Sequence, residues 1–342
     1  MRDLTVLVSA SGAPGTAALL RALRENGERR VRLVGTDMSD RAVGRHLCDA
    51  FHVVPAGSDH GFADAVLEVC RAEVVDAVLP QSSFDLEGLA TARDRFEGVA
   101  VLVSSRETIR RANDKAETYA MLDRIGVRGP AWRRVRGGDA VAAAARELGY
   151  PERDVALKPV FSSGSRGFRI LSASADRREQ LLTNRPGVAE ALRLDDLLEL
   201  LGDDTTELLV MELATGKERT IDGVAEGGRI LLGHPKTREA MRAGLAMYFE
   251  TLADEALMET AGRIVAELEI DHFFNIQLVG EHVIEVNPRI STIVYQEDLN
   301  LPYLGVKHAL GEIGAAELAV LAARVRPTRR ALRYFDQVEW DA

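Results

Sequence analysis

Apolar positions along the chain switch between two spacings. Leu4 to Ser9 is a short β-rich run, and Ala10 to Gly15 is a turn of small residues. Ala17 to Glu25 then places Leu19, Leu20 and Leu23 at helical spacing. Val31 to Asp37 reads as a second strand ending in an acid. The alternation continues through Phe51–Val54 (strand), Phe62–Arg71 (helix), Val74–Pro80 (strand), Leu86–Phe96 (helix) and Val99–Ser104 (strand). Strands that alternate with helices predict parallel β-α-β units with helices on both faces of the sheet. This first domain is expected to end near Arg111.

The pattern then changes. Asn113 to Gly126 reads as a helix that Asn113 or Asp114 can cap and Gly126 can end. Gly129-Pro130 breaks the chain, Ala140–Leu148 is an Ala-rich helix, and Pro151 stops it. Val155–Pro159 is a strand, followed by Ser162-Ser163-Gly164-Ser165-Arg166-Gly167. Residues 176–207 form a charged excursion whose Leu194–Leu201 stretch is amphipathic. Glu207–Glu212 is a strand and Met258–Leu268 a helix. Phe273–Val279 and His282–Val286 are strands joined by the two-residue turn Gly280-Glu281.

The length of 342 residues allows two or three domains at roughly 150 residues each. The net charge of −10 argues against the nucleic-acid backbone or an anionic membrane as the main partner. No run approaches the ~20 apolar residues of a membrane span, and the N-terminus lacks the order of a signal peptide. Cys48 and Cys70 are the only cysteines, too few for a disulfide framework or a cysteine zinc site. A cytoplasmic location is therefore expected.

Two loops could carry chemistry. Ser9 to Gly15, with Asp37 after the next strand, stands where a dinucleotide-binding fold places its glycines and acid. The loop is not the full GxGxxG, so a plain scaffold whose loops line a cleft is the alternative. Ser162 to Gly167 is either a hairpin turn between strands 155–161 and 168–172 or a cradle whose amides meet phosphate oxygens beside Lys158.

Six motifs in order carry a resemblance: Asp114-Lys115, Ala156-Leu157-Lys158-Pro159, Ser163-Gly164-Ser165-Arg166-Gly167, Met211-Glu212 with Gly216-Lys217-Glu218, Asn275-Ile276-Gln277, and Glu285-Val286-Asn287-Pro288-Arg289. Together they resemble the ATP-grasp superfamily. Within it the chain is most similar to single-unit relatives of the carbamoyl-phosphate synthase large subunit, the group that includes the pyrrolysine-biosynthesis amino-acid ligase. The resemblance covers essentially the whole chain. It implies an α/β and α+β fold: an N-terminal doubly wound pre-ATP-grasp domain over 1–112, a lid lobe with the glycine-rich loop over 113–212, and a C-terminal lobe with the metal site over 213–342.

It also implies roles. Lys115 and Lys158 would meet the α- and β-phosphates, under the amides of Ser163, Gly164, Ser165 and Gly167. Glu212 and the Leu213 backbone would meet the adenine edge, and Glu218 the ribose. Gln277, Glu285 and Asn287 would hold Mg²⁺, with Mn²⁺ as an alternative. Positions 285 and 287 alternate by two and share a face, and Gln277 reaches the same point from the neighbouring strand. Many relatives have an acid at Gln277, so the amide is expected to weaken one of two metal sites. Arg289 would hold the γ-phosphate and the substrate carboxylate. In the basic stretch 236–244, Arg242 is preferred to Lys236.

The implied activity is ADP-forming ligation of a small-molecule carboxylate and an amine, amino-acid or peptide-like, through an acyl phosphate. Bicarbonate activation, a non-catalytic ATP-binding module and a nicotinamide oxidoreductase are the rival readings. Nucleic acid and membrane are not expected as partners, and a homodimer is an analogy with relatives.

Overall fold

The computed structural model describes residues 1–161, 166–183, 191–242, 245–291 and 299–340. Its first part comprises β1 (Leu4–Ser9), α1 (Thr16–Arg24), β2 (Val31–Asp37), α2 (Gly44–Leu47), β3 (Ala50–Val53), α3 (Phe62–Glu73), β4 (Ala77–Pro80), α4 (Ser83–Ala92) and β5 (Ala100–Val101). The strands form one parallel sheet in the order β3-β2-β1-β4-β5. Val6 and Val8 feed one apolar cluster and Leu7 another, so successive strand residues bury on opposite faces. This is the doubly wound domain that the alternation predicts.

The second part runs through α5 (Arg106–Asn113), α6 (Lys115–Arg124), β6 (Trp132–Arg136), α7 (Gly138–Glu147), β7 (Val155–Pro159), β8 (Arg169–Leu171), α8 (Arg177–Thr183), β9 (Ala191–Leu192), α9 (Leu194–Leu201) and β10 (Glu207–Glu212). Asp114 separates α5 from α6 and caps the latter, its Oδ1 accepting from the amides of Ala116 at 2.8 Å and Glu117 at 3.0 Å. The sheet order is β6-β10-β7-β8-β9. β6, Trp-Arg-Arg-Val-Arg, carries no apolar alternation. It holds its place as an edge strand on β10, with Arg134 and Arg136 paired to Glu207.

The third part comprises β11 (Glu218–Glu226), β12 (Arg229–Thr237), β13 (Tyr248–Glu250), α10 (Glu255–Glu267), β14 (His272–Val279), β15 (His282–Asn287), α11 (Leu301–Ala309), α12 (Ala315–Ala322) and β16 (Arg330–Leu332). An antiparallel sheet, β12-β11-β14-β15, dominates it. One face, with Ile221, Ile276 and Val286, packs on Ala261, Ile264 and Val265 of α10. The opposite face is apolar only at one end. There Val224, Leu232 and Phe273 join Tyr303 and Val306 of α11 in a cluster continuous with Leu4, Leu19 and Leu23 of the first domain. The C-terminal helices thus tie the third part to the first.

Candidate active site

The polar end of that second face faces the cleft. Register alternation assembles it: Lys236, Thr220, Gln277 and Glu285 form one row across the four strands, and His234, Asp222, Asn275 and Asn287 form the next. Most of these side chains are buried, so each needs a partner. Lys236 forms an ion pair with Asp222, both excluded from solvent. Asn275 Nδ2 donates to Asp222 Oδ1 and Thr220 Oγ1, each at 2.6 Å. Asn275 Oδ1 accepts from Gln277 Nε2 at 2.9 Å and Asn287 Nδ2 at 3.3 Å. Arg238 donates to Gln277 Oε1 at 2.5 Å and lies 3.4 Å from Glu218.

Opposite Glu285 and Asn287, the cleft is lined by Asn113, Lys115 and Tyr119, with Ser83 supplied by the first domain. Three cations border it. Burial depresses the pKa of Lys158 to about 7 and lowers those of Lys115 and Arg289, while Glu285 opposes the fall in all three. Lys158 Nζ donates to Tyr119 Oη at 2.8 Å, and that hydroxyl donates to the Ile284 carbonyl at 2.8 Å. Arg289 Nε donates to Ser83 Oγ at 3.0 Å, and its NH2 lies 3.4 Å from Asn287 Oδ1. The structure therefore brings Lys115, Lys158, Glu285, Asn287 and Arg289 to one cleft.

Residues 6–103 match the family model described as "PylC-like, N-terminal domain", and residues 204–331 match "ATP-grasp in the biosynthetic pathway with Ter operon". The chain is an ATP-grasp protein. That places it in a superfamily of ATP-dependent ligases. The same fold is found in an L-amino acid ligase from Bacillus licheniformis (15% identity, TM-score 0.66, 96% of this chain and 79% of that one). A biotin carboxylase from Campylobacter jejuni in complex with an ATP analogue is similar at 17% identity (TM-score 0.63, 92% and 72%). So is the ADP complex of N5-carboxyaminoimidazole ribonucleotide synthetase (14%, 0.60, 85% and 71%).

The other expected ATP-grasp residues are placed as follows. Ser163, Gly164 and Ser165 lie outside the described residues. Gly167 has φ +72°, and a Cβ there would fall 2.7 Å from the Pro159 ring. On either side of the 162–167 segment β7 and β8 pair antiparallel, from Val155 with Leu171 to Leu157 with Arg169. The adjoining Arg166 reaches the first domain, its guanidinium 5.5 Å from the Phe84 ring centroid. The Glu212 carboxylate accepts from the Ala131 amide at 3.4 Å and lies 3.8 Å from His282, bordering a second cavity with Trp132 and Arg134. Leu213 packs at the edge of the α10 core, and Glu218 stays on the cleft face beside Arg238.

Arg242 departs from its expected place. It is exposed, its guanidinium 4.7 Å from the Phe335 ring centroid in the C-terminal segment. The basic side chains on the cleft face are instead Lys236 and Arg238, because β12 projects alternate residues to that face. The dinucleotide reading of the first loop also loses its acid. Asp37 accepts from the amides of Gly12 at 2.8 Å and Ser39 at 2.9 Å, so it holds its own loop. Tyr119, Ser83, Thr220, Asp222 and Asn275 were not legible as site residues. Of these, Thr220, Asp222 and Asn275 carry a signal, polar residues alternating with apolar ones along β11 and β14.

The donors suit a hard divalent cation. Glu285 offers carboxylate oxygens. Asn287 turns its NH₂ to Asn275, which leaves Oδ1 on the side of Arg289 and the cleft. Among the described residues no group of three His, Cys, Asp or Glu could hold a metal, so a cation here relies on one carboxylate, amide oxygen and the nucleotide's own oxygens.

Proposed function

We propose that the chain is an ATP- and Mg²⁺-dependent carboxylate–amine ligase that forms an amide through an acyl phosphate and releases ADP and phosphate. The observation that carries this reading is the convergence of Lys115, Lys158 and Arg289 on Glu285 and Asn287 in one cleft. Three cations beside one carboxylate suit a polyanionic ligand arriving with its own cation.

Lys115 and Lys158 neutralise the α- and β-phosphates, and the Leu213 backbone meets the adenine. Glu285 and Asn287 hold Mg²⁺, which when bound withdraws charge from the phosphates. Arg289 carries the γ-phosphoryl group and the carboxylate that attacks it, and its bond to Ser83 fixes the guanidinium against the first domain. The 162–167 turn closes over the triphosphate and keeps water from the acyl phosphate. The amine then attacks the acyl carbon and phosphate leaves. An amino acid as the carboxylate substrate is favoured by the fold shared with the L-amino acid ligase.

ADP release measured against a panel of amino acids and amines tests the reading. Turnover should require one acid and one amine together and should vanish in Glu285→Ala. Equal ADP release with and without the acid, or a fully active Glu285→Ala protein, would refute it.

A further inference from the structure

The buried polar layer under the cleft has a direction. Lys236 can only donate, and its ion pair with Asp222 makes that carboxylate an acceptor facing it. Asn275 must therefore present its NH₂ to Asp222, at 2.6 Å, and its carbonyl oxygen to the other side. On that side stand Gln277 and Asn287, and both must turn their NH₂ groups inward to meet the single Asn275 oxygen. The amide oxygens of Gln277 and Asn287 are thereby pushed outward, and they meet different partners. The Asn287 oxygen, on the cleft side, accepts from Arg289 at a long 3.4 Å. The Gln277 oxygen accepts from Arg238 at 2.5 Å.

Gln277 has one oxygen able to bind a cation, and the Arg238 guanidinium holds it at 2.5 Å, far closer than the 3.4 Å at which Arg289 approaches the Asn287 oxygen. Reversing the amide would set its NH₂ against the donor-only Arg238 and its oxygen against the Asn275 oxygen, so the network permits no exchange. Arg238 is itself held on the cleft face. Its backbone amide donates to the Glu218 carbonyl at 2.9 Å, and its guanidinium lies 3.4 Å from the Glu218 carboxylate. A divalent ion at Gln277 would sit beside that fixed positive charge.

Resting on the ligase reading above, we infer that this protein works with one divalent cation, held by Glu285 and Asn287, and that Arg238 supplies the positive charge beside Gln277 where a second cation would otherwise bind. Asp222 and Lys236 are positioning residues: they set the direction of the three amides and so aim the Asn287 oxygen at the cation. A guanidinium cannot be chelated, exchanged or diluted away. Part of the charge compensation at this face would then be independent of free Mg²⁺.

Mn²⁺ binding in the presence of ADP tests this without turnover. The complex of the full chain with MnADP, freed of excess metal, should hold one Mn²⁺ per chain, with an electron paramagnetic resonance spectrum of an isolated ion. Two Mn²⁺ per chain with spin coupling between them would overturn the inference while leaving the ligase reading intact. No Mn²⁺ retained at all would refute both. In the double variant Arg238→Met, Gln277→Glu, the guanidinium is gone and a carboxylate is offered, so the count should rise to two with a coupled signal. A count of one in that folded variant would equally overturn the assignment to Arg238. The wild-type count stands even if the variant does not fold.

Discussion

Lys158 and Tyr119 are joined by a 2.8 Å hydrogen bond inside the cleft, and the same Nζ stands 5.0 Å from the tyrosine ring centroid. The hydroxyl in turn donates its hydrogen bond to the Ile284 carbonyl, one residue before Glu285. The cation is thus tied to the strand that carries the metal ligands before any nucleotide arrives. Tyr119→Phe removes the acceptor and leaves the ring. A hydrogen bond to a charged group contributes about 1.5–3 kcal/mol. KM for ATP should therefore rise on the order of tenfold with kcat little changed. A fall in KM would show instead that Tyr119 competes with the phosphates for Lys158.

The depressed pKa of Lys158, about 7, makes nucleotide binding pH-dependent. Only the ammonium form attracts phosphate. Below pH 7 the free protein already carries that proton, so ATP binding takes up none there. Above pH 7 the amine is mostly neutral, and binding must draw in about one proton, with affinity falling up to ~tenfold per pH unit. Calorimetry of nucleotide binding at pH 8, in buffers of different ionisation enthalpy, should report that uptake, and at pH 6 it should be absent. No uptake at pH 8 would mean that Lys158 stays charged in the free cleft.

Asp222 and Lys236 separate stability from function. Both are fully buried, so Asp222→Ala takes the carboxylate away from a buried ammonium and should cost about 3–5 kcal/mol in urea unfolding. The double variant Asp222→Leu, Lys236→Met removes both charges and should recover most of that loss. Its three amides, however, have lost the group that sets their direction. Mg²⁺ affinity in the ADP complex should stay about 10–100-fold weaker than in the wild type. Recovery of stability and metal affinity together would show that the pair does not orient the amides.

The contrast between the first and third parts shows what a sequence can display. β1, β2 and β4 are apolar on both faces, so their runs stand out against the helices between them. β11 and β12 escaped the same reading. One face of each bears Thr220, Asp222, His234 and Lys236, whose burial depends on partners on the neighbouring strands. In isolation such residues look like a polar loop, although Gly227-Gly228, both at positive φ, marks the hairpin turn. Lys158, Glu285, Asn287 and Arg289 were singled out because they stand in motifs whose order resembles ATP-grasp proteins, and the structure brings them to one cleft. Arg242 was preferred to Lys236 from a run of basic residues, where strand alternation was the better guide. Ser83 and Tyr119 reach the site only through tertiary packing, which no local pattern encodes.

Gly167 offers a test of the proposed closing of the 162–167 segment over the phosphates. Its φ of +72° disfavours any side chain, and a Cβ there would lie 2.7 Å from both Cγ and Cδ of Pro159. Pro159 follows Lys158 directly, so relieving the clash must shift either the turn or the lysine's own strand end. Gly167 stands outside both strands, β7 ending at Pro159 and β8 beginning at Arg169. Gly167→Ala should therefore keep the fold, lose about 1–2 kcal/mol of stability to backbone strain, and raise KM for ATP at least several-fold. Gly98 supplies the control. Its φ of +75° imposes a comparable backbone penalty, but a Cβ there meets nothing within 4 Å and it lies in the first domain. Gly98→Ala should show the backbone part of that stability loss, without the clash, and leave KM unchanged. If the two variants instead weaken ATP binding equally, the effect comes from general destabilisation, and Gly167 has no part in closing the turn over the nucleotide.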